Sequence, residues 1–115
     1  MATITKQLLS GSTQGTGIKI TQTSTAGDTI HTAVSGTTDI DEIWIYACNT
    51  NTSAEVLTIE WGSADVDDNI KVSINPDETV LVVPGLVLHN GLVVKAFATV
   101  ANKVNLFGYV NRMDY

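Results

Sequence analysis

The fold class is clearest in EIWIYACNTNTSAEVLTIEW, residues 42–61. Two runs rich in apolar and β-branched residues flank the polar segment NTNTS, which is the pattern of two strands joined by a turn. In the second run, alternation with a period of two predicts Leu57, Ile59 and Trp61 on the inner face of a sheet. The residues between them are predicted to face outward.

The first run, residues 42–49, is apolar on both sides. Ile43 and Ile45 fall on one side of the predicted strand, and Trp44 and Tyr46 fall on the other. Strands with two apolar faces are usually covered on both. We therefore predict a central strand here, with the aromatic side covered by a subunit contact.

Four further runs of this kind follow, namely NIKVSI, TVLVV, LVVKAFAT and KVNLFGYV. NPDE and Asn90-Gly91 have the composition of tight turns, and Pro84-Gly85 is predicted to end the TVLVV strand. Residues 111–115 are predicted to project as a short polar tail. Short strands at this spacing predict an all-β protein, an antiparallel β-sandwich with jelly-roll-like architecture.

Residues 1–38 are richer in Thr, Ser and Gly than residues 39–115. We predict an N-terminal arm with weak edge strands, followed by the β-sandwich body, in a chain of 115 residues that is large enough for one domain. The arm has no acid before Asp28, whereas the whole chain has twelve acids, six bases and a net charge of −6. Because nucleic-acid binding requires clustered basic residues, this charge argues against a nucleic-acid partner.

Cys48 is the only cysteine, so an intrachain disulfide is excluded. Its apolar neighbours predict an inert, buried thiol. Neither a signal peptide nor a membrane-spanning stretch is recognisable, which predicts synthesis in the cytoplasm and no membrane partner.

The acidic loop at residues 65–69 is the one candidate for a metal site, and it is a weak one. Asp65, Asp67 and Asn69 match the first, third and fifth ligand positions of an EF-hand calcium loop. Ile70 and Pro76 stand where that loop requires glycine and glutamate. The competing interpretation is a solvated turn in which Asp and Asn side chains cap local backbone.

No pattern in the sequence indicates catalysis or a cofactor. His31 and His89 are the only histidines, and both are predicted to lie at the surface. Composition leaves a Ser-His-Asp triad open, but no G-x-S-x-G nucleophile motif and no phosphate-binding glycine loop is present. We therefore predict that the protein is not an enzyme.

The aromatic residues allow two interpretations. The residues that could stack on sugar rings, if they are exposed together on one face, are Trp44, Tyr46, Trp61, Tyr109 and Tyr115. Because they alternate with apolar residues, packing in the core or at a subunit interface is the more economical interpretation.

The body of the chain resembles small virion structural proteins of tailed bacteriophages. The resemblance covers roughly residues 40–111 and rests on IWIYACNTNTSA, VLTIEWG, NIKVSINPDETVLVVPG and the closing LVLHNGLVVKAFATVANKVNLFGYVN. The last segment ends in the glycine-aromatic-valine unit Gly108-Tyr109-Val110.

This resemblance implies a capsid decoration (cement) protein, located in the virion, that binds the major capsid protein or another virion protein. Such proteins stabilise the shell by burying surface between capsomers and are often trimers, so a homo-oligomer is expected. The contact residues we expect are Ile4, Leu8 and Leu9 toward the shell, and Trp44 and Tyr46 toward a neighbouring subunit.

Two further expectations accompany this assignment. A chain without residues 1–12 is expected to fold but to bind the particle weakly. The alternative function is a glycan-binding module or an adhesin domain associated with a fibre or tail, and it requires at least two aromatic side chains exposed in one groove.

Overall fold

The computed structural model describes residues 2–115 as two antiparallel sheets packed face to face, which confirms the predicted all-β sandwich. Its strands are β1 Thr3–Leu8, β2 Ile18–Lys19, β3 Asp28–Thr32, β4 Ile40–Asn49, β5 Glu55–Trp61, β6 Asn69–Ile74, β7 Thr79–Leu88, β8 Val93–Ala98 and β9 Val104–Asp114. Sheet A has the order β1-β9-β4-β7, with β2 also paired to β9, and sheet B has the order β3-β8-β5-β6. A single 3-10 turn within residues 2–115, Val66–Asp68, precedes β6.

Strand β4 is central in sheet A, as its two apolar faces predicted. Ile43, Ile45 and Ala47 are fully buried between the sheets. Their neighbours Trp44 and Tyr46 point to the outer side of sheet A, where sheet B cannot cover them. The strand pairs with β9 over its whole length without a register shift.

Strand β7 does not end at Pro84-Gly85, contrary to the sequence prediction, but continues to Leu88. The strand lies at the edge of sheet A, where a residue without an N–H group costs no ladder hydrogen bond on the solvent side. The register against β4 shifts between Ile43 and Trp44 and again between Ile45 and Tyr46, so the proline sits in a bulged stretch.

The predicted polar tail is also wrong. Residues 111–114 continue β9, which pairs with β1 on one side and β4 on the other. Asn111 lies opposite Glu42 and Arg112 lies opposite Asp41. Because side chains alternate along a strand, Asn111 points to the outer face of sheet A and Arg112 points to the inner face.

The N-terminal third contributes to the core of the sandwich. Leu9, Ile18, Ile20 and Ile30 are buried with the core residues of the body. Leu9 is 1% exposed, so it has no surface to offer a partner, and its expected role in shell contact is wrong. Strand β1 differs, because five of its six residues are exposed.

Of the three outward residues of β5, only Val56 is exposed to solvent as the alternation suggested. Thr58 and Glu60 are buried, and residues 25–27 fold over this side of sheet B, where Thr25 and Gly27 bind the Glu60 carboxylate. The backbone N–H of Gly27 donates to Glu60 Oε1 at 2.7 Å. A Cβ at Gly27 would lie 2.2 Å from the Ala96 carbonyl oxygen, so only glycine permits this approach.

These positions revise the expected effect of truncation. Deleting residues 2–7 removes residues that are all exposed except the half-buried Gln7, and we expect the free energy of unfolding to fall by at most about 1 kcal/mol. Deleting residues 2–12 also removes buried Leu9, and we expect a loss of about 2–5 kcal/mol. Urea denaturation of the two truncated chains measures both values. Equal stabilities would contradict the placement of Leu9 in the core.

Candidate functional site

The outer side of sheet A carries four aromatic side chains on its two central strands. Tyr46 lies directly opposite Phe107, and Trp44 lies directly opposite Tyr109. Because opposite residues of an antiparallel pair share a face, these four side chains form one surface, which we call the aromatic face. Tyr46 is 36% exposed and Phe107 is 41% exposed.

Trp44 is held rigidly in the aromatic face. Its ring stacks on Tyr109 with a centroid distance of 6.0 Å and an interplanar angle of 10°. Its Nε1 donates to Glu42 Oε1 at 2.8 Å, and Asn111 Nδ2 donates to the same oxygen at 3.0 Å. The hydrogen bonds from Asn111 and Trp44 lower the pKa of the Glu42 carboxyl below its usual value. On the other side the ring packs against Gly85, where a Cβ would lie 2.8 Å from Trp44 Cζ2.

Apolar side chains extend the aromatic face toward both edges of sheet A. On β1, Leu8 lies opposite Tyr109, and Lys6 Nζ lies 4.7 Å from the centroid of the Tyr109 ring. On β7, Leu81 lies opposite Tyr46 and is exposed. The exposed apolar surface therefore crosses the whole sheet.

A second feature, which we call the Asp41 cluster, is a group of hydrogen-bonded residues inside the sandwich. Asp41 is fully buried, and Arg112 binds it through two hydrogen bonds, Nε to Oδ1 at 2.7 Å and Nη2 to Oδ2 at 2.9 Å. Asp41 Oδ2 also accepts from the backbone N–H of Val34 at 3.0 Å and contacts His31 Nε2 at 2.8 Å. The Asp41 cluster comprises Ser10, His31, Val34, Asp41 and Arg112.

His31 is 2% exposed, so the prediction of a surface position is wrong. Its Nδ1 accepts a hydrogen bond from the backbone N–H of Ser10 at 3.0 Å. The ring proton of the neutral imidazole therefore sits on Nε2 and is donated to Asp41.

Although Ser10, His31 and Asp41 come together, their geometry is not that of a catalytic triad. The His31 nitrogen that would accept the nucleophile's proton is already bonded to a backbone amide. The Ser10 hydroxyl oxygen accepts instead from the backbone N–H of Thr32 at 2.7 Å. The three residues thus bind backbone segments together.

Two opposing effects act on the Asp41 carboxyl. Burial alone raises its pKa, but the hydrogen bonds and charge from Arg112, with the contact from His31, outweigh burial and lower the pKa below its usual value. Arg112 shows the reciprocal effect, because its bond to Asp41 raises the guanidinium pKa. The pair is therefore ionised at neutral pH.

The acidic side chains of the loop at residues 65–69 make local hydrogen bonds. Asp65 Oδ1 accepts from the N–H of Asp67 at 3.1 Å, and Asp68 Oδ2 accepts from the hydroxyl of Ser63 at 2.6 Å. Asn69 begins β6. In the part of the chain that the structure describes, no group of three or more His, Cys, Asp or Glu side chains is arranged to hold a metal ion.

The remaining residues that the sequence analysis singled out differ in their exposure to solvent. Ile4 and Leu8 are exposed on β1, at 64% and 53%. Cys48 is half-buried on the outer side of β4, and not fully buried as its apolar neighbours predicted. His89 is half-buried in the turn before β8. Asn90-Gly91 forms that turn, with positive φ at both residues, as expected.

Sequence reasoning missed Asp41 and Arg112. Asp41 has the same parity as Ile43 and Ile45, so the alternation already placed a carboxylate on the inner face of a central strand. That position requires a cationic or hydrogen-bonding partner. Arg112 was missed because it was assigned to a projecting tail.

Comparison with protein-family models, curated proteins and solved structures gives no match for this chain. Among residues 2–115, no helix is long and apolar enough to cross a membrane. The aromatic face and the Asp41 cluster are therefore the features of the molecule that bear on its function.

Replacing Asp41 by asparagine tests the cluster. Arg112 would lose a charged partner inside the sandwich, and we expect the free energy of unfolding at neutral pH to fall by about 3–5 kcal/mol. Asp39→Asn is the matched control, because Asp39 accepts one exposed hydrogen bond from Tyr115. Urea denaturation measures both variants. A similar small loss in the two would contradict a stabilising role for the cluster.

The cluster also determines how stability responds to acid. Because the folded-state pKa of Asp41 is lowered, its contribution is complete above the unfolded-state value of about 4 and is lost as pH falls through the folded pKa. We expect the stability difference between the wild type and Asp41→Asn to shrink below pH about 4. Denaturation between pH 2 and pH 7 measures it, and a constant difference would contradict the assignment.

Proposed function

We propose that the protein is a structural component of a tailed-phage virion, a capsid decoration protein that stabilises the shell by binding the major capsid protein. The aromatic face and the neighbouring residues of β1 and β7 form the contact surface. The protein acts by burying this surface, as a homo-oligomer and without a cofactor or a catalytic step.

The observation that carries the proposal is the concentration of exposed apolar side chains on one side of sheet A. Tyr46, Leu81, Leu8 and Phe107 lie on this side and are all exposed. Contiguous exposed apolar surface marks interaction sites, and aromatic residues are the ones that interfaces favour. The outer side of sheet B differs, because the backbone of residues 25–27 covers part of it.

Two further features support a structural role. Two rings of the aromatic face, Trp44 and Tyr109, are held in place before any partner arrives by their stacking and by the hydrogen bond from Trp44 to Glu42, which lowers the entropy cost of binding. The strand order β1-β9-β4-β7 over β3-β8-β5-β6 supports the finer assignment to the jelly roll, an architecture common in viral capsid domains.

The geometry of His31 supports a protein without hydrolytic activity. Both ring nitrogens are engaged, one by Asp41 and one by the backbone of Ser10. A general base needs a free nitrogen within reach of a substrate. His31 has neither a free nitrogen nor exposed surface.

Tyr46→Asp and Val56→Asp form a matched pair that tests the proposal. Both residues are 36% exposed, and they lie on the outer sides of the two sheets, in β4 and β5. We expect Tyr46→Asp to weaken binding to particles lacking this chain at least about tenfold, because it places a charge in the contact surface. Val56→Asp should bind as the wild type does. Co-sedimentation with particles measures both.

Circular dichroism provides the control, since both variants should keep the wild-type β spectrum. Equal binding by the two variants would contradict docking through the aromatic face. Loss of binding by Val56→Asp alone would assign the contact to sheet B.

A glycan-binding module is the second candidate, and one observation favours it. Tyr46 and Phe107 are exposed neighbours on adjacent strands, which gives a flat aromatic surface on which sugar rings can stack. Calorimetric titration with capsular and lipopolysaccharide glycans separates the two functions. A saturable heat of binding in the wild-type chain that is lost in Phe107→Ala would favour the glycan-binding module, provided that the wild-type chain does not bind particles.

A further inference from the structure

Strand β1 leaves an unprotected sheet edge. It pairs with β9 from Thr3 to Leu8 without a register shift, and within residues 2–115 no strand pairs with its other side. Its sequence, TITKQL, contains no proline, no glycine, no acid and only one lysine. Edge strands of this composition are templates for pairing with another chain.

The other three sheet edges carry features that discourage such pairing. Strand β7 contains Pro84 and two register shifts. Strand β6 directly follows the acidic loop at residues 65–68, which places three carboxylates beside that edge. Strand β3 has five residues and a register shift between Thr29 and His31. The contrast singles out β1.

Strand β1 also extends beyond the cover of sheet B. Ile4, Lys6 and Leu8 point to the outer side of sheet A and are exposed, as expected for that side. Thr3 and Thr5 point to the opposite side, which elsewhere in sheet A is buried, yet they are exposed as well. Ordering this strand therefore buries little surface within one chain.

We propose that a second copy of this chain pairs with the free edge of β1, antiparallel, about a two-fold axis perpendicular to sheet A and centred on Thr5. Opposite residues of an antiparallel pair share a face, so such an axis must pass through a residue and not between two residues. An axis at Lys6 would place two ammonium groups opposite each other. An axis at Thr5 places Ile4 against the aliphatic part of Lys6 and Thr3 against Gln7, with no like charges opposed.

This pairing joins the two copies of sheet A into one continuous sheet. Because the axis is perpendicular to the sheet, both aromatic faces lie on the same side. The pair would present twice the contact surface to one target and gain avidity. It is a two-fold dimer and differs from the trimer that the phage resemblance implies.

Site-specific disulfide formation tests the pairing, with Cys48→Ser as the background so that each variant has one thiol. Thr5→Cys is the test variant. Opposite Cα atoms lie about 4.5–5.5 Å apart, within the range of a disulfide. Lys6→Cys is the register control, because its diagonal separation of about 7–8 Å is too long. Val66→Cys, at the most exposed large apolar residue, controls for random collision.

We expect Thr5→Cys to form covalent dimer under mild oxidation at least about tenfold faster than either control, and the wild-type chain to sediment as a concentration-dependent dimer. Equal rates in the three variants, with a monomeric wild type, would overturn the proposal. Faster dimer formation by Lys6→Cys would overturn the register centred on Thr5. The measurement uses the purified chain alone, so its outcome is independent of binding to a virion.

Discussion

The arrangement of the sandwich depends on one buried carboxylate. Asp41 lies on the inner face of the central strand β4, where an ionised group without partners would cost several kcal/mol. Its four hydrogen-bonding contacts come from β3, β9 and the segment that follows β3. Through His31 the same group is connected to the backbone of Ser10, directly after the buried Leu9. The N-terminal and C-terminal parts of the chain are thereby bound to one centre.

This constraint also positions the aromatic face. Arg112 must point inward to reach Asp41, and the alternation of β9 then directs Tyr109 and Phe107 outward. The side chain of Glu42, next to Asp41 in β4, points outward and accepts from Trp44 and Asn111. Asp41 and Glu42 are adjacent in β4; the first binds groups in the interior and the second orders the exposed surface. The positions of the Asp41 cluster and the aromatic face therefore both depend on the register between β4 and β9.

Much of the fold could be predicted from alternation and turn chemistry, because these are local properties of the chain. The inner residues of β4 and the Asn90-Gly91 turn follow directly from the sequence. Three features could not be predicted in this way. The course of β7 past Pro84 depends on its edge position, the burial of Leu9 depends on packing against distant strands, and the role of Arg112 depends on a partner 71 residues away.

A sandwich with buried charges and an ordered aromatic surface is suited to binding that requires no conformational change. The proposed role in a phage shell uses that property, since each copy contributes only buried surface. Quantitative mass spectrometry of purified particles, giving copies of this chain per major capsid subunit, tests this role most directly. We expect a fixed ratio of the same order as the capsid protein itself. Complete absence of the chain from purified particles would contradict the virion assignment.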